Sequence, residues 1–182
     1  MRFGPIAAIL LSASLAHAEC PGEPDDPVCR PWSAIALPSL FGAIYSPHHG
    51  PTYAGAGIEA VLLAWSDNTE AFGPSQGRIR IDAGLLDASG GAGAVTMIRG
   101  GTQLAFERNA SRAYGIPFFA VDVGRLWTAA ATRWFMDGGV GVYVVHRRSF
   151  TVDVEVTGIL PFTDPSDYAG VRARLGLSFA LW

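Results

Sequence analysis

Lysine is missing from this chain: all 13 basic residues among its 182 are arginine. The surface therefore lacks a side chain much used for solubility, although a biased genomic base composition has the same effect. Charge of either sign is also scarce. Charged residues make up 16% of the chain, against about 25% in ordinary soluble domains, and the formal net charge is -3. So mild a balance offers no basic patch or stripe to nucleic acid. Past residue 18 no window carries the ~18 successive apolar residues of a transmembrane helix. If the chain resides in a membrane it must be a closed barrel, because only helices and closed sheets satisfy all their backbone groups in lipid.

Cysteine is nearly absent as well, and its two copies sit close together. The chain opens with Met1-Arg2, runs through apolar Ile6-Ala7-Ala8-Ile9-Leu10-Leu11 and reaches the small-x-small pattern Ala16-His17-Ala18. This predicts a signal peptide over residues 1–18, since the run is too short for a spanning anchor. A lipid-anchored start on Cys20 competes, but Glu19 fits such processing poorly. Cys20 and Cys29 flank Pro-Gly-Glu-Pro-Asp-Asp-Pro-Val in a leader, residues 19–32. In an exported chain a bridge between them is the expectation, with two free thiols in a tail as the alternative. Residues 33–182 then suit one domain, with no linker, charge block or solenoid repeat dividing them.

Glycine, by contrast, is abundant at 22 residues, and the dominant pattern is alternation. Phe150, Val152, Val154 and Val156 alternate with Thr151, Asp153, Glu155 and Thr157, and Val171, Ala173, Leu175, Leu177, Phe179 and Leu181 with Arg172, Arg174 and Ser178. Successive strand side chains point to opposite faces. Alternation and Gly/Pro punctuation predict eight strands, at 33–45, 55–65, 77–87, 94–106, 113–124, 134–145, 150–160 and 169–182. The third is nearly as clean as the seventh: Ile79, Ile81, Ala83 and Leu85 alternate with Arg78, Arg80, Asp82 and Gly84. The first, second and fifth are ambiguous. Pro38 and Pro117 sit where a central strand would need a donor, and Glu59 shares a face with Val61, Leu63 and Trp65.

The connections 108–112 and 146–149 are short and polar, as periplasmic turns of outer-membrane barrels are, whereas 66–76 is longer than that pattern predicts. Segments 46–54, 89–93, 125–133 and 163–168 fall on the opposite side. Aromatics cluster at strand ends: Trp127 and Trp134 at one outer loop, Phe162 and Tyr168 at another, Trp65 and Phe72 below, and Trp182 at the end. Such placement is that of a headgroup-level girdle, and the same rings could instead plug the ends of a soluble barrel.

Alternation alone permits two facings. A soluble barrel turns the Val/Ile/Leu rows inward, while a membrane barrel turns them to lipid and fills its lumen with Arg78, Arg80, Arg99, Arg172 and Arg174 against Asp82, Glu107, Asp153 and Glu155. Low charge and end-placed aromatics favour the second. Eight strands enclose just enough room for side chains, so these charges must neutralise one another. The eight segments, the signal peptide, the short turns and the last strand, Leu175-Gly176-Leu177-Ser178-Phe179-Ala180-Leu181-Trp182, resemble the small eight-stranded outer-membrane barrels of the OmpA/OmpX kind. That resemblance implies an all-β, eight-stranded antiparallel up-and-down transmembrane β-barrel in the outer membrane of a Gram-negative bacterium. Its partners would be outer-membrane lipid and the barrel-insertion machinery, which reads an aromatic C-terminus.

Motifs for chemistry are weak. His48-His49 lacks a third ligand nearby; His146 and Ser149 lack a carboxylate to complete a triad; Gly90-Gly91-Ala92-Gly93 lacks the features of a phosphate loop. Asn109-Ala110-Ser111 matches a glycosylation sequon without a context for it. The expectation is a non-enzymatic protein without cofactor or metal, structural or surface-interacting. The alternatives are a soluble periplasmic or secreted barrel binding a small apolar ligand, which would place Ile79 and Ile81 inside, and a lipid-modifying membrane enzyme.

Overall fold

The computed structural model describes residues 39–67, 75–91, 93–106, 114–146 and 150–179. The strands are β1 (Ser39–Pro47), β2 (Tyr53–Asp67), β3 (Ser75–Ala88), β4 (Ala94–Phe106), β5 (Tyr114–Trp127), β6 (Thr132–His146), β7 (Phe150–Pro161) and β8 (Gly170–Phe179), with one short helix, α1 (Pro165–Tyr168), before β8. Each strand pairs antiparallel with the next. Pairing of β1 with β8, from Leu40 with Leu177 to Pro47 with Gly170, closes the barrel. Closure removes the sheet edges that would otherwise invite aggregation.

Strand ends among the described residues fall within three residues of expectation, and β4 coincides with it at both ends, while residues 33–38 and 180–182, expected in the first and last strands, lie outside the described residues. β1 starts at Ser39, just after Pro38, which lies outside the described residues. β2 runs on to Asp67 and β3 starts at Ser75, so the long connection expected at 66–76 shrinks. Pro117 lies within β5, one residue beyond the last pair that β5 shares with β4, Ala105 with Phe118. Pro117 remains paired with Val142 of β6, and a proline is tolerated best toward the end of a ladder such as that with β4.

Two bulges shift the register, between Val61 and Leu63 in β2 and between Tyr143 and Val145 in β6. Val61 stands opposite Arg80, whereas Leu63 stands opposite Ile79. One extra residue thus reverses the parity of β2. Glu59 and Leu63, which share a face by simple alternation, pair with opposite faces of β3.

Glycine allows the wall to curve tightly. A Cβ on Gly57 would lie 2.2 Å from the Ala83 carbonyl oxygen and 2.4 Å from the Phe41 ring. The ring of Phe41 instead lies across Gly57 and Gly84, and that of Phe118 across Gly141. Such pairing of an aromatic ring with a glycine fills the gap at a bend of the wall.

The facing of the walls is uniform. Outward rows carry Ile79, Ile81 and Leu85 on β3, Val121 and Val123 on β5, Val140 and Val142 on β6, and Leu175 and Leu177 on β8. Ile79 and Ile81 are 39% and 45% exposed, while Arg80 and Asp82 between and beside them are each 1% exposed.

Candidate functional site

The interior is built in three tiers. Toward the β1–β2, β3–β4, β5–β6 and β7–β8 loops lies an apolar cluster of Phe41, Ala43, Tyr45, Leu86, Val95, Met97, Leu126, Phe135 and Ile159. Toward the opposite end Ala105, Ile116, Phe118, Ala120 and Tyr143 form a second. Between them sits the charge. Apolar layers above and below exclude water from the middle, which strengthens each ion pair there and raises the cost of leaving one open.

Arg99 is the hub of this tier. Its Nε donates to Asp82 Oδ2 at 2.6 Å, Nη1 to Asp122 Oδ2 at 3.0 Å and Asp137 Oδ2 at 2.9 Å, and Nη2 to Glu155 Oε1 at 2.9 Å. One β4 side chain therefore binds carboxylates from β3, β5, β6 and β7. Arg80 joins Asp122 at 2.7 Å, Glu155 at 2.8 Å and Glu59 at 3.4 Å. Arg78 reaches Asp153 at 3.2 Å and its Nε donates to Gln103 Oε1. The Gln103 amide in turn donates to Glu155 Oε2 at 2.5 Å, and the Tyr143 hydroxyl donates to Gln103 Oε1 at 3.2 Å.

From β8, Arg174 Nη1 lies 2.6 Å from Glu59 Oε2, and Arg172 Nη2 lies 3.6 Å from Asp82 Oδ1. β1 contributes no charge to the tier. Its Phe41 ring takes both arginines instead, with the Arg172 and Arg174 guanidinium carbons 5.1 Å and 5.0 Å from the ring centroid. Such contacts suit arginine, whose planar, weakly hydrated head stacks on rings.

Of the nine charges expected to line the lumen, Arg78, Arg80, Asp82, Arg99, Asp153, Glu155, Arg172 and Arg174 are buried there together. Glu107 lies outside the described residues, as do Cys20 and Cys29. Three further carboxylates join the tier: Glu59, Asp122 and Asp137. Parity gives the signal for Asp122, which alternates with Val121 and Val123. It is masked because Phe118 and Ala120 make the inward face of β5 apolar as well. The five arginines thus meet six carboxylates.

Above the upper apolar tier the mouth is covered. Tyr45 stacks on Tyr53 at 5.9 Å and donates its hydroxyl proton to the Tyr168 carbonyl. Tyr168 packs against the upper cluster, under Arg133, whose Nη2 is 2.6 Å from Asp164. Tyr168 therefore belongs to the mouth and not, as expected, to an outer girdle. Trp127, Trp134 and Phe162 do end strands on the loop side, and Tyr114, Phe150 and Phe179 end them on the other. The side chain of Trp65, with Phe72 and Trp182, lies outside the described residues.

No protein-family model, no curated protein and no solved structure matches the chain. The architecture is compatible with the small eight-stranded barrels it resembles, and its chemistry has to be read from geometry. His48 and His49 are exposed after β1, ring centroids 4.5 Å apart. Among the described residues no group of three or more His, Cys, Asp or Glu side chains is placed to hold a metal ion. His146 ends β6, while Ser149 lies outside the described residues. Gly90, Gly91 and Gly93 take positive φ in the tip between β3 and β4, a backbone demanded by the turn. What the charged tier does is bind opposite walls together.

Proposed function

We propose that this chain is an integral outer-membrane β-barrel, exported by its N-terminal signal segment, with a structural or surface-interaction role. The facing of β3 carries this reading. Ile79 and Ile81 look outward while Arg80 and Asp82 are sealed within, and a soluble barrel built around an apolar ligand needs the reverse. Large apolar side chains are exposed on all eight strands, from Leu40 and Ile44 on β1 to Leu175 and Phe179 on β8. Soluble monomers rarely expose contiguous apolar patches above a few hundred Å². Aromatics at both strand ends supply the two girdles that such a belt has in lipid.

The same reading sets the orientation. Both ends of the barrel segment, Ser39 and Phe179, leave at the end that holds the β2–β3, β4–β5 and β6–β7 turns, which would face the periplasm. The four opposite loops would face outward and supply any surface contact. The leader, with Cys20 and Cys29 bridged, would hang on the periplasmic side, and the insertion machinery would receive the C-terminal strand.

Fractionation tests this. The protein is expected to stay with membranes through an alkaline wash and to migrate differently on gels before and after boiling. Release by the wash, with no shift on heating, would overturn the membrane reading.

A further inference from the structure

Outward side chains on the described strands are almost free of charge. Among the side chains the structure describes, the two exceptions are Asp87 on β3 and Arg125 on β5, both near the outer loops. Arg125 stands opposite Ile98 of β4 on one side and Trp134 of β6 on the other. Its guanidinium carbon lies 5.4 Å from the ring centroid of Trp127 and 5.5 Å from that of Trp134. Two indoles thus hold one cation on the outside of the wall, and no carboxylate among the described residues pairs with it.

We propose that Arg125, held between Trp127 and Trp134, binds the phosphate of an anionic membrane lipid at the outer rim. This rests on the membrane reading above. Tryptophan favours the headgroup level, so a guanidinium at the height of two indoles meets phosphates and not acyl chains. Its planar fork matches phosphate oxygens two at a time. Ring contacts on both flanks hold the fork in place, so less side-chain freedom is lost on binding than for a mobile arginine. An arginine on this apolar wall without an anion would remain an unpaired charge beside lipid, which is unfavourable. Neighbouring Ile98 and Met136 supply apolar surface for the chains of the same lipid.

The test uses the full chain in vesicles of phosphatidylcholine and phosphatidylglycerol in equal amounts, extracted gently, with retained lipid counted by native mass spectrometry. The wild type is expected to retain phosphatidylglycerol over phosphatidylcholine by about fivefold, the discrimination that one arginine near a membrane surface supplies. Arg125→Gln is expected to abolish the preference, and Asp87→Asn to leave it. Equal retention of both lipids by the wild type, or unchanged preference in Arg125→Gln with its heat-modifiable shift intact, would overturn the site and leave the membrane reading standing. Loss of the preference in millimolar inorganic phosphate would assign the site to free anions and overturn the lipid. Failure of the wild type to enter vesicles at all would overturn both readings.

Discussion

Arg80 and Glu155 meet at 2.8 Å although β3 and β7 stand diametrically opposite in the ring of eight strands. Arg78 and Asp153 span the same two strands at 3.2 Å, 75 residues apart in sequence. Opposite walls are therefore in contact through the centre. The lumen of this barrel is a layer of ion pairs and not a channel. In planar bilayers the protein is expected to show no sustained conductance, and Arg80→Ala with Glu155→Ala to show increased ion leak. Stable single-channel steps from the wild type would refute the closed lumen.

Arg99 is the substitution to which the interior should be most sensitive. Removing its head leaves Asp82, Asp122, Asp137 and Glu155 short of a partner in a water-excluding layer. Breaking a buried pair costs about 3–5 kcal/mol, because the remaining charge is stranded. Arg99→Met, which keeps much of the volume, should lower the urea midpoint of unfolding accordingly. A variant that unfolds at the wild-type midpoint would mean that the carboxylates find other partners.

Two glycines separate crowding from glycine content. At Gly57 a Cβ would collide with the Ala83 carbonyl and the Phe41 ring, while at Gly138 the nearest heavy atom is 3.8 Å away. Gly57→Ala is expected to destabilise by about 1–3 kcal/mol through overpacking. Gly138→Ala is expected to stay within about 0.5 kcal/mol of wild type. Equilibrium unfolding followed by tryptophan emission distinguishes them, and equal losses would place the need for glycine elsewhere than in the packing.

A charge on the outer wall probes the medium around it. Val140 lies at the middle of β6 and is 56% exposed. In lipid, Val140→Arg should cost about 2–4 kcal/mol and Thr132→Arg, near the loop end, about 0–1 kcal/mol. In water neither charge would matter. A vesicle-folding titration that found no difference between the two would count against a lipid-facing belt.

Much of this wall is legible residue by residue. In β3 from Arg78 to Asp82, in β7 from Thr151 to Thr157 and in β8 from Val171 to Leu175, charged or hydroxyl side chains alternate with apolar ones, so facing there follows from parity alone, whereas at the outer end of β3 Leu86 turns in and Asp87 out. β2 defeats that rule because the bulge after Val61 reverses parity between Glu59 and Leu63, and no local residue choice announces the extra position. Asp122 and Asp137 escape for another reason. Each lies on an inward row that also carries large rings, Phe118 and Phe135, and a row with rings on both sides has no contrast to read. Tyr168 could not be placed because α1 spans four residues. Pro165 starts it and Asp164 turns into it at φ 51°, but the contact that fixes it is with Tyr45, distant in sequence.

The charged tier also bears on assembly. Sorted by hairpin, β3–β4 brings Arg78, Arg80 and Arg99 against Asp82 alone, an excess of two positive charges. The next hairpin, β5–β6, brings Asp122 and Asp137 and no buried arginine, an excess of two negative. β7–β8 is balanced within itself, and among the described side chains β1–β2 brings only Glu59, whose partners lie on β3 and β8. No hairpin except the last can leave water neutral, so the two central ones have an electrostatic reason to dock on each other before the ring closes. With partners this far apart in sequence, closure comes late and costs loop entropy. The first three hairpins thus carry polarities that alternate in sign and favour docking in chain order, while the neutral β7–β8 hairpin is placed by connectivity and by the pairs that Arg172 and Arg174 make with Asp82 and Glu59.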